Sequence, residues 1–217
     1  MKTRTSIIFA LVLILLSSAA GLILYDRLPD PMASHWNAQW QVDGYMSRSW
    51  GVFFMPLMAT GLLVLFLLIP LIDPLKANIA QFRATFNIFV VLLIAFLVYL
   101  QVLIMAWNLG YRFDMGGMLL PAMGVFIYYC GILIGKARRN WFIGIRTPWT
   151  LSNDKVWEQT HRLGAILFKA AGVLTILGTF LGPYAWLFVF VPLIGSAMFL
   201  ILYSYLIYQR EEKAANG

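Results

Sequence analysis

The chain has 217 residues, of which 61% are hydrophobic and 12% charged, with a formal net charge of +7 and a mean hydropathy of +0.80. Soluble domains run at roughly half apolar and about a quarter charged, and a chain this short cannot hide so much apolar surface in one core. The composition excludes an ordinary soluble domain and implies an integral membrane protein; the basic surplus is spread as a topology signal and does not form a nucleic-acid-binding stripe.

The first apolar run covers residues 6–25, after Lys2 and Arg4. A basic start followed by Ser18-Ala19-Ala20 has the form of a signal peptide. The run continues through Gly21 to Tyr25, however, which suits an uncleaved spanning helix.

A polar loop from Asp26 to Trp50 follows. Pro29 and Pro31 forbid helix there, and Asp43-Gly44 reads as a turn. Trp36, Trp40, Tyr45 and Trp50 suit a membrane interface, with the ring buried and the polar atom wet. Asp26, Asp30, His35 and Asp43 invite a metal or acid–base reading. With one His, no Cys and no ligand pair at helical spacing, the zinc set is missing, so the loop reads as structural. No cofactor is expected.

Further apolar runs cover residues 51–72, 86–107, 118–135, 163–182 and 185–208. Each approaches the roughly 20 residues that a helix needs to cross hydrocarbon, and continuous rather than alternating apolarity implies helices, not a barrel. Pro56 and Pro192 lie within spans and read as tolerated prolines. Asn87, Gln101 and Asn108 border or enter the third run and are expected to hydrogen-bond to neighbouring segments. Cys130 is the single cysteine and has no disulfide partner in the chain. Lys169 enters the fifth run, from which its long stem can snorkel.

Between the fourth and fifth runs stands Lys136–Arg162, KARRNWFIGIRTPWTLSNDKVWEQTHR, too polar for hydrocarbon. Arg138 and Arg139 are natural partners for anionic lipid headgroups. Thr147-Pro148-Trp149-Thr150 reads as extended, because a residue before proline avoids helix. Ser152 is the expected N-cap of a short interfacial helix with Asp154 in its first turn. Trp157 and His161 share a helix face at i, i+4, and Glu158 and Arg162 form an exposed i, i+4 pair. His161 reads as a hydrogen-bonded interface residue rather than a pH switch.

All but three of the sixteen Lys and Arg fall on one side of a six-span arrangement, the exceptions being Arg27, Arg48 and Arg112. Cytoplasmic loops carry such an excess. The expected fold is an all-α membrane protein, a six-helix bundle with both termini in the cytoplasm.

Two stretches resemble a known family. Asn140 to Ser152, with Gly144, Arg146, Thr147, Pro148, Trp149 and Thr150, and then Trp157, Thr160 and His161, is similar to the signature of SdpI-type membrane proteins. The first loop, with Leu28-Pro29-Asp30, His35-Trp36-Asn37 and Asp43-Gly44-Tyr45, resembles an uncharacterised domain that commonly precedes that signature. It departs from the usual pattern at Met32-Ala33, and at Trp40, where a glycine is common. The resemblance implies a two-helix unit over residues 1–75, with an extracytoplasmic loop, and a four-helix SdpI-like unit over 76–217. It also implies a non-enzymatic role: immunity to a secreted peptide toxin, with a cytosolic transcriptional repressor captured at the inner loop. The signature residues above are the candidate partner-binding set, and Pro29, Asp30, His35, Trp36, Asn37, Asp43, Gly44 and Tyr45 the outer-loop set.

The alternative expectation is a small-solute transporter or efflux component. Against it, no Asp or Glu lies at mid-membrane. An intramembrane enzyme is disfavoured because no nucleophile–base pair is apparent by spacing.

Overall fold

The computed structural model describes residues 1–216. Its elements in chain order are α1 (Thr3–Leu24), a hairpin of β1 (Met32–Trp36) and β2 (Val42–Met46), α2 (Arg48–Ile72), α3 (Lys76–Gln81), α4 (Arg83–Asn108), α5 (Met115–Lys136), α6 (Pro148–Ser152), α7 (Asp154–Gly178) and α8 (Leu187–Asn216). α1, α2, α4, α5, α7 and α8 are long and apolar enough to cross a membrane. Leu15, Ile23, Val191 and Met198 project from the bundle exposed, as side chains solvated by lipid do. The protein is a multi-pass membrane protein built on six helices.

The helices pack as two groups of three. α1, α2 and α4 form one, and α5, α7 and α8 the other, with α4 against α5 joining them. Phe66 meets Phe86 and Phe89 edge-on in the first group, and Phe89 and Phe96 stack on Phe126 of α5 across the seam. α5 and α7 run closest of all, because glycines face each other. A Cβ on Gly172 would stand 2.6 Å from both the Gly124 carbonyl oxygen and the Tyr128 nitrogen. Small residues that let backbones approach are the usual means of helix association in lipid, where apolar burial supplies no driving force.

Polar side chains close other contacts. Asn87 donates to the Met1 carbonyl and the Thr3 hydroxyl, and Gln101 donates to the Val52 carbonyl. Asn108 clamps the hairpin, accepting from Ala33 N at 2.8 Å and donating to the Ala33 carbonyl at 2.9 Å.

The hairpin corrects one expectation. Asp43-Gly44 lies inside β2, with Gly44 paired to His35 at an irregularity in the ladder, where a Cβ would press on the His35 Cβ at 2.7 Å. The turn is formed instead by Asn37, whose Oδ1 accepts from Gln39 N and Gln41 N. An Asx side chain that mimics a backbone turn does this without glycine. Trp40 sits in the turn at φ 61°, in the left-handed region that favours glycine. Its ring packs over Gly116 and Leu120 at the start of α5, so the contact offsets a backbone cost of about 1–2 kcal/mol.

The short interfacial helix lies one motif earlier than expected. Thr147 is extended (φ −107°, ψ 162°), as the following proline demands, but it acts as the N-cap of α6, with Pro148 in its first turn. Asn153, not Ser152, caps α7, its Oδ1 accepting from Lys155 N and Val156 N. The polar segment from Asp154 is therefore continuous with the fifth spanning helix.

Candidate functional site: the loop at the basic end

The N-terminus of α1, the α2–α3 turn, the start of α7, the C-terminal ends of α5 and α8, and the loop 137–147 gather at one end of the bundle, where the positive charge lies. The loop is not a loose connection. Ile143 and Trp157 belong to the same buried cluster as Ile69, Ile79, Phe82 and Phe86, so the segment plugs the end of the α2–α4 packing.

Asn140 organises its first half. Fully buried, it donates to the Arg138 and Ile143 carbonyls, both at 2.8 Å, and accepts from Phe142 N at 2.9 Å and Ile143 N at 2.6 Å. All four hydrogen-bonding positions of its amide are used. The carboxylate of Asp73, also buried, ends α2: it accepts from Leu75 N at 2.6 Å and from Trp141 N at 2.9 Å. Asn78 of α3 donates to the Arg139 carbonyl.

The second half is held from α7. Trp157 Nε1 donates to the Ala137 carbonyl at 2.9 Å, and its ring stacks on His161 with centroids 3.9 Å apart. His161 Nε2 accepts from Ile145 N at 3.0 Å, while Nδ1 lies 2.8 Å from the Trp157 carbonyl and donates to it. A ring nitrogen that accepts from an amide carries no proton, so geometry assigns the neutral Nδ1–H tautomer. Nitrogen-15 NMR on the labelled protein should show one pyrrole-like and one pyridine-like signal for His161. Two pyrrole-like signals at neutral pH would mean that the Ile145 bond is absent.

Gly144, at φ 113°, lies against this ring, and a Cβ there would collide with His161 Nε2. Thr147 and Thr150 cap each other through side chain and backbone. Thr147 Oγ1 also reaches Ser204 of α8 at 3.0 Å, and Thr150 Oγ1 donates to the Ile145 carbonyl.

The signature residues thus divide by direction. Asn140, Thr147, Thr150, Trp157, Thr160 and His161 are buried and shape the loop; Gly144, Arg146, Pro148 and Ser152 are exposed, and Trp149 leans on Tyr205 of α8. Trp141 and Phe142, absent from the sequence-based set, are exposed beside Arg146, whose guanidinium donates to the Trp141 carbonyl at 2.6 Å. Asp73, Asn78 and Ser204 were equally invisible in the sequence, since they bind backbone or hydroxyl groups far along the chain. Two charge readings change. Glu158 pairs with Arg138 at 2.8 Å rather than with Arg162. Arg139 donates to the Leu151 carbonyl and sits 2.8 Å from Asp154, its Nε–H not aimed at that oxygen.

At the opposite end, the outer-loop residues scatter along the hairpin. His35 and Asp43 form an exposed pair at 2.6 Å, Asp30 accepts from Arg48 N, Trp36 meets Trp107 edge-on, and Pro29 and Tyr45 face outward. No group of His, Cys, Asp and Glu among the described residues is arranged to hold a metal ion.

Comparison with known proteins agrees with both motifs. Residues 136–204 match the SdpI/YfhL protein family, and residues 12–60 match a domain of unknown function, DUF1648. The chain is 25% identical over 204 residues, 94% of its length and 96% of the relative's, to "Immunity protein SdpI" of Bacillus subtilis (strain 168). No solved structure matches. The two matched stretches contain the basic-loop signature and the hairpin motif respectively.

Proposed function

We propose that this SdpI-type membrane protein protects the cell that makes it from a secreted, membrane-active peptide, without catalysis, and reports the encounter to a cytosolic repressor. The observation that carries the reading is the similarity to an immunity protein along 94% of the chain, hairpin and basic loop included. Charge supports an orientation with the basic end in the cytoplasm. The hairpin then faces the incoming peptide, and Trp141, Phe142 and Arg146 face the cytosol as the capture surface. The peptide drives this only by binding two packings of the bundle unequally.

A strain lacking the protein should become sensitive to the peptide, and the wild-type chain should restore resistance. The pair Trp141→Ala and Arg146→Ala should restore resistance but fail to bring the repressor to the membrane fraction. A deletion strain no more sensitive than its parent to membrane-active peptides rules out immunity. Undiminished capture by the double variant rules out this surface.

A further inference from the structure

We propose that the groove between α5 and α7 at the basic end binds a phosphate group, and that the phosphate belongs to an anionic lipid headgroup. The groove is a cavity of about 630 Å³, with Lys136, Arg138, Arg162 and Lys169 in its lining. Its one carboxylate, Glu158, is engaged by Arg138. Among the described residues no acid pairs with Lys136, Arg162 or Lys169. Three cations held around one cavity repel each other, and a bound anion relieves that repulsion.

The trough exists because its floor is small. Gly135 and Ala165 line it, and one turn deeper the Lys169 stem lies across Gly131, where a Cβ would stand 2.9 Å from its Cγ. Lys169 is seven residues beyond Arg162, about 10 Å along the helix, so its ammonium must extend toward the charged mouth to be solvated. His161 also lines the cavity, but both its nitrogens are spent on Ile145 and Trp157. It forms a wall and not a ligand.

The depth and the flanks select the source. The cations sit where helix ends meet the headgroup layer, where anionic lipids concentrate basic side chains. Ile132 and the exposed Ile166 lead from the groove onto the apolar flank of the bundle. A diester phosphate can lodge among the cations while its acyl chains follow that flank. A free phosphate uses only the cations. The site stands whether or not the protein confers immunity, so toxin assays do not bear on it.

The test is native mass spectrometry of the full chain released from detergent with phosphatidylglycerol or phosphatidylcholine present. The wild type should retain one phosphatidylglycerol with roughly tenfold preference. K136Q/R162Q should lose most of it, at about fivefold per charge removed. K136R/R162K, which keeps the charges, should retain it and shows that a loss in the glutamine variant is not misfolding. Millimolar inorganic phosphate should not displace the lipid. Displacement by phosphate, with no preference between the lipids, would reassign the site to a soluble phosphate and overturn the lipid source. Equal retention of both lipids without phosphate binding, or a preference that survives K136Q/R162Q, would overturn the site.

Discussion

Gly172→Leu is expected to abolish stable folding of the bundle, at a cost of roughly 3 kcal/mol or more. The neighbours of a Cβ at this position are the Gly124 carbonyl oxygen, the Tyr128 nitrogen and the Tyr128 Cα at 2.9 Å, all backbone atoms that no rotamer change can move aside. The only accommodation is for α5 and α7 to part, and every contact along the closest helix pair is then loosened. Dispersion falls steeply with such a gap, and in lipid there is no compensating gain from re-burying apolar surface. Gly195→Leu is the internal control: nothing lies within 4 Å of a Cβ there, so its effect should stay within about 0.5 kcal/mol. Thermal unfolding of both variants in detergent, followed by tryptophan fluorescence, separates the cases. Equal midpoints for Gly172→Leu and wild type would show that the two helices are not in backbone contact.

Asn140→Ala should be the most damaging change in the basic loop. It removes two donors and two acceptors at once, and leaves the Phe142 and Ile143 amides and the Arg138 and Ile143 carbonyls without partners. At about 1–3 kcal/mol for each buried group left unmet, here the Ile143 amide and carbonyl, the closed loop becomes less stable than an open one whose backbone is hydrated. The loss is therefore local: the helices stay, and residues 137–147 open. Limited proteolysis should cut the variant within this segment while helix content by circular dichroism is unchanged. Asn140→Asp should not rescue it, because its second oxygen would face two carbonyls where the amide had donated. Wild-type protease resistance in Asn140→Ala would mean that Asn140 does not shape the loop.

The six helices were legible because each is a continuous apolar run of spanning length, and lipid permits no other use of such runs. The fifth boundary was misplaced because Asp154–Arg162 is polar on its outer face yet buries Val156, Trp157, Thr160 and His161; hydropathy registers the first property and not the second. At Thr147-Pro148 the local rule held and the conclusion did not. An extended residue before proline is equally what a helix N-cap requires, and only the reciprocal Thr147–Thr150 bonds decide between the two. Asp43-Gly44 has the composition of a turn, but Asn37 closes the hairpin before it. The Glu158–Arg162 pair failed because i, i+4 spacing ignores neighbours from other elements, and Arg138 reaches Glu158 from the end of α5. The Trp157–His161 face was readable, since both residues lie on one helix. The contacts that give them purpose, to Ala137 and Ile145, join segments 20 and 16 residues apart and leave no mark in spacing.

The carboxylate of Asp73 has a mechanical consequence. α2 begins directly after the hairpin and ends at this residue, which grips the Trp141 amide at 2.9 Å. Sliding α2 along its axis by a single residue step, about 1.5 Å, must either snap that hydrogen bond or drag the strand of chain bearing Trp141, Phe142 and Arg146. An axial shift of α2 would therefore be transmitted to the basic loop through Asp73 and through the packing of Ile69 in the cluster that holds Ile143.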